Sequence, residues 1–203
     1  RAMPSEQPTM RERQAEFTRN EILLAARRLF ADRGFTQTSV RDIARAAGVS
    51  AQTVYDSIGS KQAVVARLND LIDSEAGIGA IVGPIAASGD PRQVAALSAR
   101  ITRSMLENCE DIVRALVTGA AAEPELQVVL DEGHRRHVEG ARTVVRMLQD
   151  MEALAHPADA ATSETLAAIT DIRFALVLRE SYGWSLDRIE VWMTAASHDL
   201  LLR

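Results

Sequence analysis

Alanine and leucine recur at three- and four-residue intervals through almost the whole chain, and no run of alternating Val, Ile and Thr interrupts them. Side chains spaced in this way share one face of a helix, whereas a half-buried strand needs a two-residue alternation. Aromatic residues, which strands favour, make up only 4% of the chain. The spacing therefore predicts an all-α protein. A chain of 203 residues can bury a sufficient core without disulfide staples, and its one cysteine, Cys109, can form no intrachain disulfide. A reducing cytoplasm suits such a chain. The longest stretch free of Asp, Glu, Lys and Arg, Ala76 to Gly89, has 14 residues and is broken by glycines and a proline, so no membrane span is expected.

Caps and breakers divide the chain. The first helix is expected from about Thr18 or earlier to Arg33, with Ile22, Ala25, Ala26, Leu29 and Phe30 on one face and Gly34 at its C-terminus. A second starts after Thr38 or Ser39 and ends at Gly48, a third covers about Ala51 to Asp56, and a fourth runs from Ser60 through Leu71 towards Glu75. The Gly/Pro/Ala/Ser-rich stretch from Gly77 to Pro91 reads as a hinge that breaks any long helix. Beyond it, helices are expected over Arg92–Asn108, Asp111 to about Ala121, Pro124 to about Met151, Ser163–Ser181 and Ser185–Leu201, with His156–Thr162 as a loop. This layout gives a disordered tail (1–15) with no apolar signal-peptide core, a head (16–75) and a body (76–203). Residues 1–70 carry a net charge of +3 and residues 71–203 one of −8, an asymmetry that suits a nucleic-acid-binding head.

The head holds the most informative segment, Val40-Arg-Asp-Ile-Ala-Arg-Ala-Ala-Gly-Val-Ser-Ala-Gln-Thr-Val-Tyr55. Ala44 is small enough for two helix axes to cross beside it, and Gly48 accepts the positive φ with which the chain reverses. Ile43, Ala47, Val49 and Val54 then face inward, and Arg41, Arg45, Gln52, Thr53 and Tyr55 outward. The pattern is that of a helix-turn-helix, whose second helix can enter a DNA major groove. A plain helical hairpin would use the same small residue and glycine for packing alone.

Over Thr18 to Lys61 the chain resembles the N-terminal domain of TetR-family transcriptional regulators. The resemblance rests on Ile22, Ala25-Ala26, Leu29-Phe30, Gly34-Phe35, Thr38-Ser39-Val40, Asp42-Ile43-Ala44, Ala47-Gly48-Val49-Ser50, Thr53-Val54-Tyr55 and Ser60-Lys61. It implies a homodimer of all-α subunits, each with a three-helix DNA-binding head and a ligand-binding, dimerising body. The implied partners are double-stranded DNA, a small-molecule effector and a second copy of the chain. Ser50, Ala51, Gln52, Thr53 and Tyr55 then face DNA, while Thr38, Ser39, Arg41, Ser60 and Lys61, the chain's only lysine, stand where phosphates dock. Gln52 replaces a glycine common in the family and can offer both donors and an acceptor to an adenine edge. Ser57-Ile58-Gly59 stands where His-Phe commonly precedes the Ser-Lys pair, with Ile58 taking the apolar role.

The body is read from its stripes. Leu166, Ile169, Leu176 and Val177 on one helix and Ile189, Trp192, Met193 and Ala196 on the last are expected to form a dimer surface, although they can instead pack within their own subunit. On the long helix Leu130, His134, His137, Ala141, Val144 and Leu148 form an inward face. The two histidines suit three roles: buried groups satisfied by neighbours, polar contacts to an effector, or ligands of a metal to which Cys109 or Asp111 would have to be recruited. A mostly apolar effector pocket is expected between Ile101, Met105, Cys109, Val113, Leu116, His134, His137, Ala141, Phe174 and Leu178, favouring a lipophilic ligand of modest size. No metal or cofactor is required by this reading. Nucleophile-elbow, Walker, His-Glu-x-x-His and Cys-x-x-Cys motifs are missing, and Gly77-Ile-Gly79 lacks the third glycine and the preceding strand of a dinucleotide site, so an enzyme is not expected. The alternatives to an effector-released repressor are a helical interaction protein that keeps the head without binding DNA, and a metal-responsive regulator using His134 and His137.

Overall fold

In a computed structural model that describes residues 9–203, the helices follow their caps closely. Helix α1 (Met10–Arg33) opens on a reciprocal capping box, Thr9 Oγ accepting from the Glu12 amide while the Glu12 carboxylate accepts from the Thr9 amide. Residues 10–15, expected in a tail, are thus the start of this helix; residues 1–8 lie outside the described residues. Ser39 forms a second capping box with Asp42 at the start of α2 (Val40–Ala47). Ser50 caps α3 (Ala51–Ser57) and Ser60 caps α4 (Lys61–Asp70). Gly48 takes the left-handed conformation, φ 69°, that turns α2 into α3. After the short α5 (Ile72–Glu75) the chain continues through α6 (Ile78–Ala87), α7 (Pro91–Ala95), α8 (Leu97–Ala120), α9 (Pro124–Asp150), α10 (Ala160–Ile169), α11 (Ile172–Tyr182) and α12 (Leu186–Leu201). Among the described residues the only β-type pairing is an isolated bridge between Leu154 and Leu202.

Three elements differ from the sequence expectation. The Gly77–Pro91 hinge is largely helical: α6 forms despite Pro84 in its interior, because Ile85 is buried and Ile81 and Val82 pack beside it on the apolar body. Tertiary packing outweighs weak local propensity there. The break expected around residue 109 and the continuity expected over 163–181 are exchanged. At Cys109 the backbone leaves the helical region (φ −137°, ψ 19°), yet α8 resumes as one kinked element. The single helix expected over Ser163–Ser181 is two, because Asp171 caps α11 by accepting from the Arg173 amide at 2.8 Å. The buried Thr170 before it donates to the Leu166 carbonyl at 2.7 Å, and its own carbonyl accepts from Thr102 at 2.7 Å.

Head and body share one apolar cluster. Ile22, Phe30, Phe35, Ile43, Val54 and Leu68 of the head pack continuously with Leu106, Ile112, Leu116 and Leu126 of α8 and α9, and on to Ile189 and Met193 of α12. A second cluster, built on Leu97, Val144, Leu148, Leu166 and Leu201, lies deeper in the body. Two contacts tie the units. Arg27 of α1 donates through Nε to Asp111 at 2.5 Å and through Nη2 to the Asn108 carbonyl at 2.7 Å, and it pairs with Glu75 at the end of α5. Phe35, between α1 and α2, lies against Gly119 of α8, where an added Cβ would meet Leu126 Cδ1 at 2.5 Å and the Phe35 ring at 3.0 Å. Both neighbours are buried and cannot swing into solvent. Gly119→Ala is therefore expected to cost about 1–3 kcal/mol through overpacking, measured as a lower urea midpoint at unchanged slope; a variant as stable as the parent would show that the junction repacks freely.

Candidate functional site

The outward face of the head is built by the three serine caps. Ser50 Oγ accepts from the Thr53 amide at 3.0 Å and lies 2.8 Å from Thr53 Oγ1, which orients the first turn of α3 outward. On the same face Gln52 is exposed and donates to Asp56 at 2.7 Å, and Tyr55 is half exposed. Ala51 is partly buried beneath them. Arg41 and Ser39 are exposed at the start of α2, and Arg45 projects into solvent beside Asp42 at 3.5 Å. Hydroxyls, amides and cations thus converge on one surface, the donor chemistry that nucleic-acid backbones accept.

Two expected members of this surface have other roles. Thr38 is buried and donates to the Gly34 carbonyl at 2.9 Å, closing the turn between α1 and α2 instead of meeting a phosphate. Lys61 Nζ donates to the Phe35 carbonyl at 3.0 Å and sits 4.0 Å from the centre of the Phe35 ring. Burial lowers the Lys61 pKa, against the pull of Glu123. The ammonium is thus a tie between α4 and the head's core, correcting the expectation of a free phosphate contact.

A cavity of about 380 Å³ opens in the body between α8 and α9. Six of the expected residues line it: Ile101, Met105, Val113, Leu116, His134 and His137. Four do not. Cys109 is buried at the α8 kink, 4.0 Å from Glu75; Ala141 is buried in the second apolar cluster; Leu178 is buried in the shared cluster; Phe174 faces outward, edge-on to Trp192. The sequence reading missed Asn69, Ile72 and Asp73 from α4 and α5, and Asp171 and Arg173 from the start of α11. A legible signal was Gly133 and Gly140, one heptad apart on the face of His137, each with open space where a Cβ would stand.

At the polar end of the cavity His137 Nε2 lies 2.9 Å from the Ala167 carbonyl, so it donates there and leaves Nδ1 as the acceptor. His134 Nδ1 lies 3.2 Å from Arg173 Nη2 and 3.4 Å from Asp171. Burial pushes the Asp171 carboxyl up, but its bonds from the Arg173 side chain and amide prevail and hold it below the ordinary carboxylate value. Among the described residues no three His, Cys, Asp or Glu side chains converge as a metal site.

The pattern of the family described as "Bacterial regulatory proteins, tetR family" matches residues 22–68, the head from α1 to α4. The repressor KstR2 of Mycolicibacterium smegmatis is 43% identical to the chain over 56 residues, 27% of either chain. Two solved structures share the fold over the whole length. SmeT in complex with triclosan is 18% identical, covers 92% of each chain and has a TM-score of 0.72. NalD of Pseudomonas aeruginosa, described as the secondary repressor of the MexAB-OprM multidrug efflux pump, is 23% identical over 94% of this chain and 98% of its own, with a TM-score of 0.69. The likeness to this family at the level of sequence lies in the head. That family is described as one of regulatory proteins. The match to KstR2 spans about a quarter of that protein and falls far short of its full length.

In the body the expected dimer residues divide between core and surface. Leu166, Leu176, Ile189 and Met193 are buried in their own subunit, and Ile169 and Ala196 are partly buried. Val177 and Trp192 remain exposed on the outer face of α11 and α12, and Phe174, Tyr182 and Val191 join them. Trp192 makes edge contacts with both Phe174 and Trp184, so this apolar face is ordered within the subunit. No helix among the described residues is long and apolar enough to cross a membrane.

Cys109, removed from the cavity, has a testable chemistry of its own. Burial pushes its thiol up to about 11, with Glu75 adding to the effect. The thiolate is the reactive form, so native protein at pH 8 is expected to resist a thiol-specific disulfide reagent that labels the guanidinium-unfolded chain at once; prompt native labelling would mean that the α8 kink opens to solvent.

Proposed function

We propose that this chain is a DNA-binding transcriptional repressor that acts in the cytoplasm as a homodimer and leaves its operator when a small lipophilic molecule enters the body cavity. The observation that carries the reading is the make-up of the cavity wall: Asn69, Ile72 and Asp73, from the helices that leave the head, stand beside Ile101 and Met105 of the body. A ligand there touches the head's own exit. Release follows only from a difference in ligand affinity between the DNA-competent and DNA-incompetent arrangements, typically a coupling of about 1–3 kcal/mol, or about 5- to 150-fold. SmeT, whose structure holds triclosan, offers a precedent in the same fold for a lipophilic guest.

The exposed donors of α3 and the cap of α2 support major-groove reading by Gln52, Thr53 and Tyr55 and phosphate contact by Ser39, Ser60 and Arg41. Two heads on a two-fold axis match a palindromic site. In fluorescence anisotropy titrations against the DNA upstream of its own gene, Gln52→Ala is expected to reduce discrimination by about 1–3 kcal/mol at one base position. Arg41→Ala should weaken all sequences alike and lower the salt slope by about one unit. Lys61→Ala, by contrast, should lower thermal stability and leave the salt slope unchanged. Wild-type binding by the Gln52 and Arg41 variants at several salt concentrations would reject this face.

Dimerisation through the outer face of α11 and α12, two helices from each subunit, would cover Val177, Tyr182, Val191 and Trp192. A charge placed there is costly once desolvated. Trp192→Glu and Val177→Glu are expected to sediment as folded monomers with unchanged helical circular dichroism. A wild-type protein that is monomeric at micromolar concentration would remove the basis for this interface.

A further inference from the structure

The charges that face the cavity pair off within the protein. Arg136 Nη1 of α9 donates to Asp73 of α5 at 3.1 Å, and Arg173 donates to Asp171 through its amide at 2.8 Å, Nε at 3.0 Å and Nη2 at 2.8 Å. Asp131 on α9 lies close enough to reinforce the Arg173 charge. Neither sign is left in excess on the wall. A monovalent ion buried against the apolar side chains of Ile101, Met105, Leu116 and Met147 would therefore lack a counter-charge unless it broke one of these pairs, and an unpaired buried charge is strongly disfavoured.

Hydrogen-bonding capacity at the polar end is unbalanced in the other direction. The Asp171 oxygens are occupied by Arg173 and approached by His134. Thr102 is occupied by the Thr170 carbonyl, and His137 Nε2 by that of Ala167. The guanidinium of Arg173 keeps Nη1 free of any partner among the described residues, on the cavity wall next to His134. Its charge is already balanced, and this donor faces solvent at the cavity wall, where a ligand oxygen can take the place of water.

We propose that the cavity selects an uncharged amphiphile: an aliphatic or alicyclic body along α8 and α9, ended by a carbonyl or hydroxyl oxygen that accepts from Arg173 at the start of α11. The inference rests on the cavity being the effector site and adds the chemical class of its ligand. Bound in this way, the oxygen replaces water at Nη1 without disturbing either ion pair, and the apolar body lies against side chains that gain from losing water.

The full chain is tested by calorimetry with three probes built on one eight-carbon chain: octan-2-one, octanoate and octyltrimethylammonium. Octan-2-one is expected to bind at least about tenfold more tightly than either ion. Arg173→Met should weaken it by about tenfold, the scale of a hydrogen bond to a charged donor, and Arg173→Lys should restore part of the loss. Arg173 is exposed, and thermal unfolding checks that both variants fold. Gly140→Met, which extends a side chain from a cavity-lining position with open space, should abolish binding. An ion that binds as tightly as the ketone overturns the uncharged class, and an unaltered ketone affinity in Arg173→Met overturns the acceptor assignment; in both cases the cavity remains the site. Failure of all three probes to bind, or ketone binding that Gly140→Met leaves intact, removes the cavity itself.

Discussion

The seating of Phe35 on Gly119 is the contact on which the relation of head to body depends. Phe35 is buried, packs on Phe30 of α1, carries the Lys61 ammonium on its ring and lies against a position of α8 that has no room for a side chain. Helices α1, α4 and α8 thus meet on one ring. The Lys61 ammonium also takes the Phe35 carbonyl, so the turn, the start of α4 and the body are held by one residue's ring and backbone together. Packing of this density transmits displacement because buried side chains have no voids in which to absorb it.

Arg27 makes the corresponding tie on the other side of the head. Its guanidinium reaches Asp111 and the Asn108 carbonyl on either side of the Cys109 kink, and Glu75 where α5 ends. The kink leaves a backbone irregularity at the point where the head's cation docks, and the planar fork of arginine fits several acceptors at once. Between these two ties run α4 and α5, whose junction also forms part of the cavity wall. The route from the cavity wall to the core of the head is therefore short and made of packed side chains. A guest that moves Ile72 or Asp73 works against the same helices that Phe35 and Arg27 hold.

The capped outward face of the head and the cavity differ in how far they could be read from the chain. Ser39, Ser50 and Ser60 are caps whose partners lie within a few residues, so their geometry follows from local spacing. The inward face of α9 was legible for the same reason, from the advance of His134, His137, Ala141 and Val144 along one helix. Which of those side chains meets space and which meets another helix was not legible. Ala141 packs into the second cluster, while His137, one turn before it, borders the cavity and reaches the Ala167 carbonyl of α10. Arg173 and Asp171 belong to a break in a stretch that reads as continuous helix, so their role at the cavity mouth was hidden with it.

By itself the sequence determined the helical class, the turn at Gly48, the caps and the TetR-like head, because these rest on interactions between residues within one or two helical turns. Tertiary structure decided the rest. It made a helix of the glycine-rich stretch by giving Ile85 a buried place, drew Lys61 and Thr38 inward, and chose which apolar face of α11 and α12 stays open to solvent. A helix greasy on two sides carries no local mark of which side its own subunit will cover. That choice is settled by contacts far apart in the chain, where the gain from burial is collective and no single residue's spacing records it.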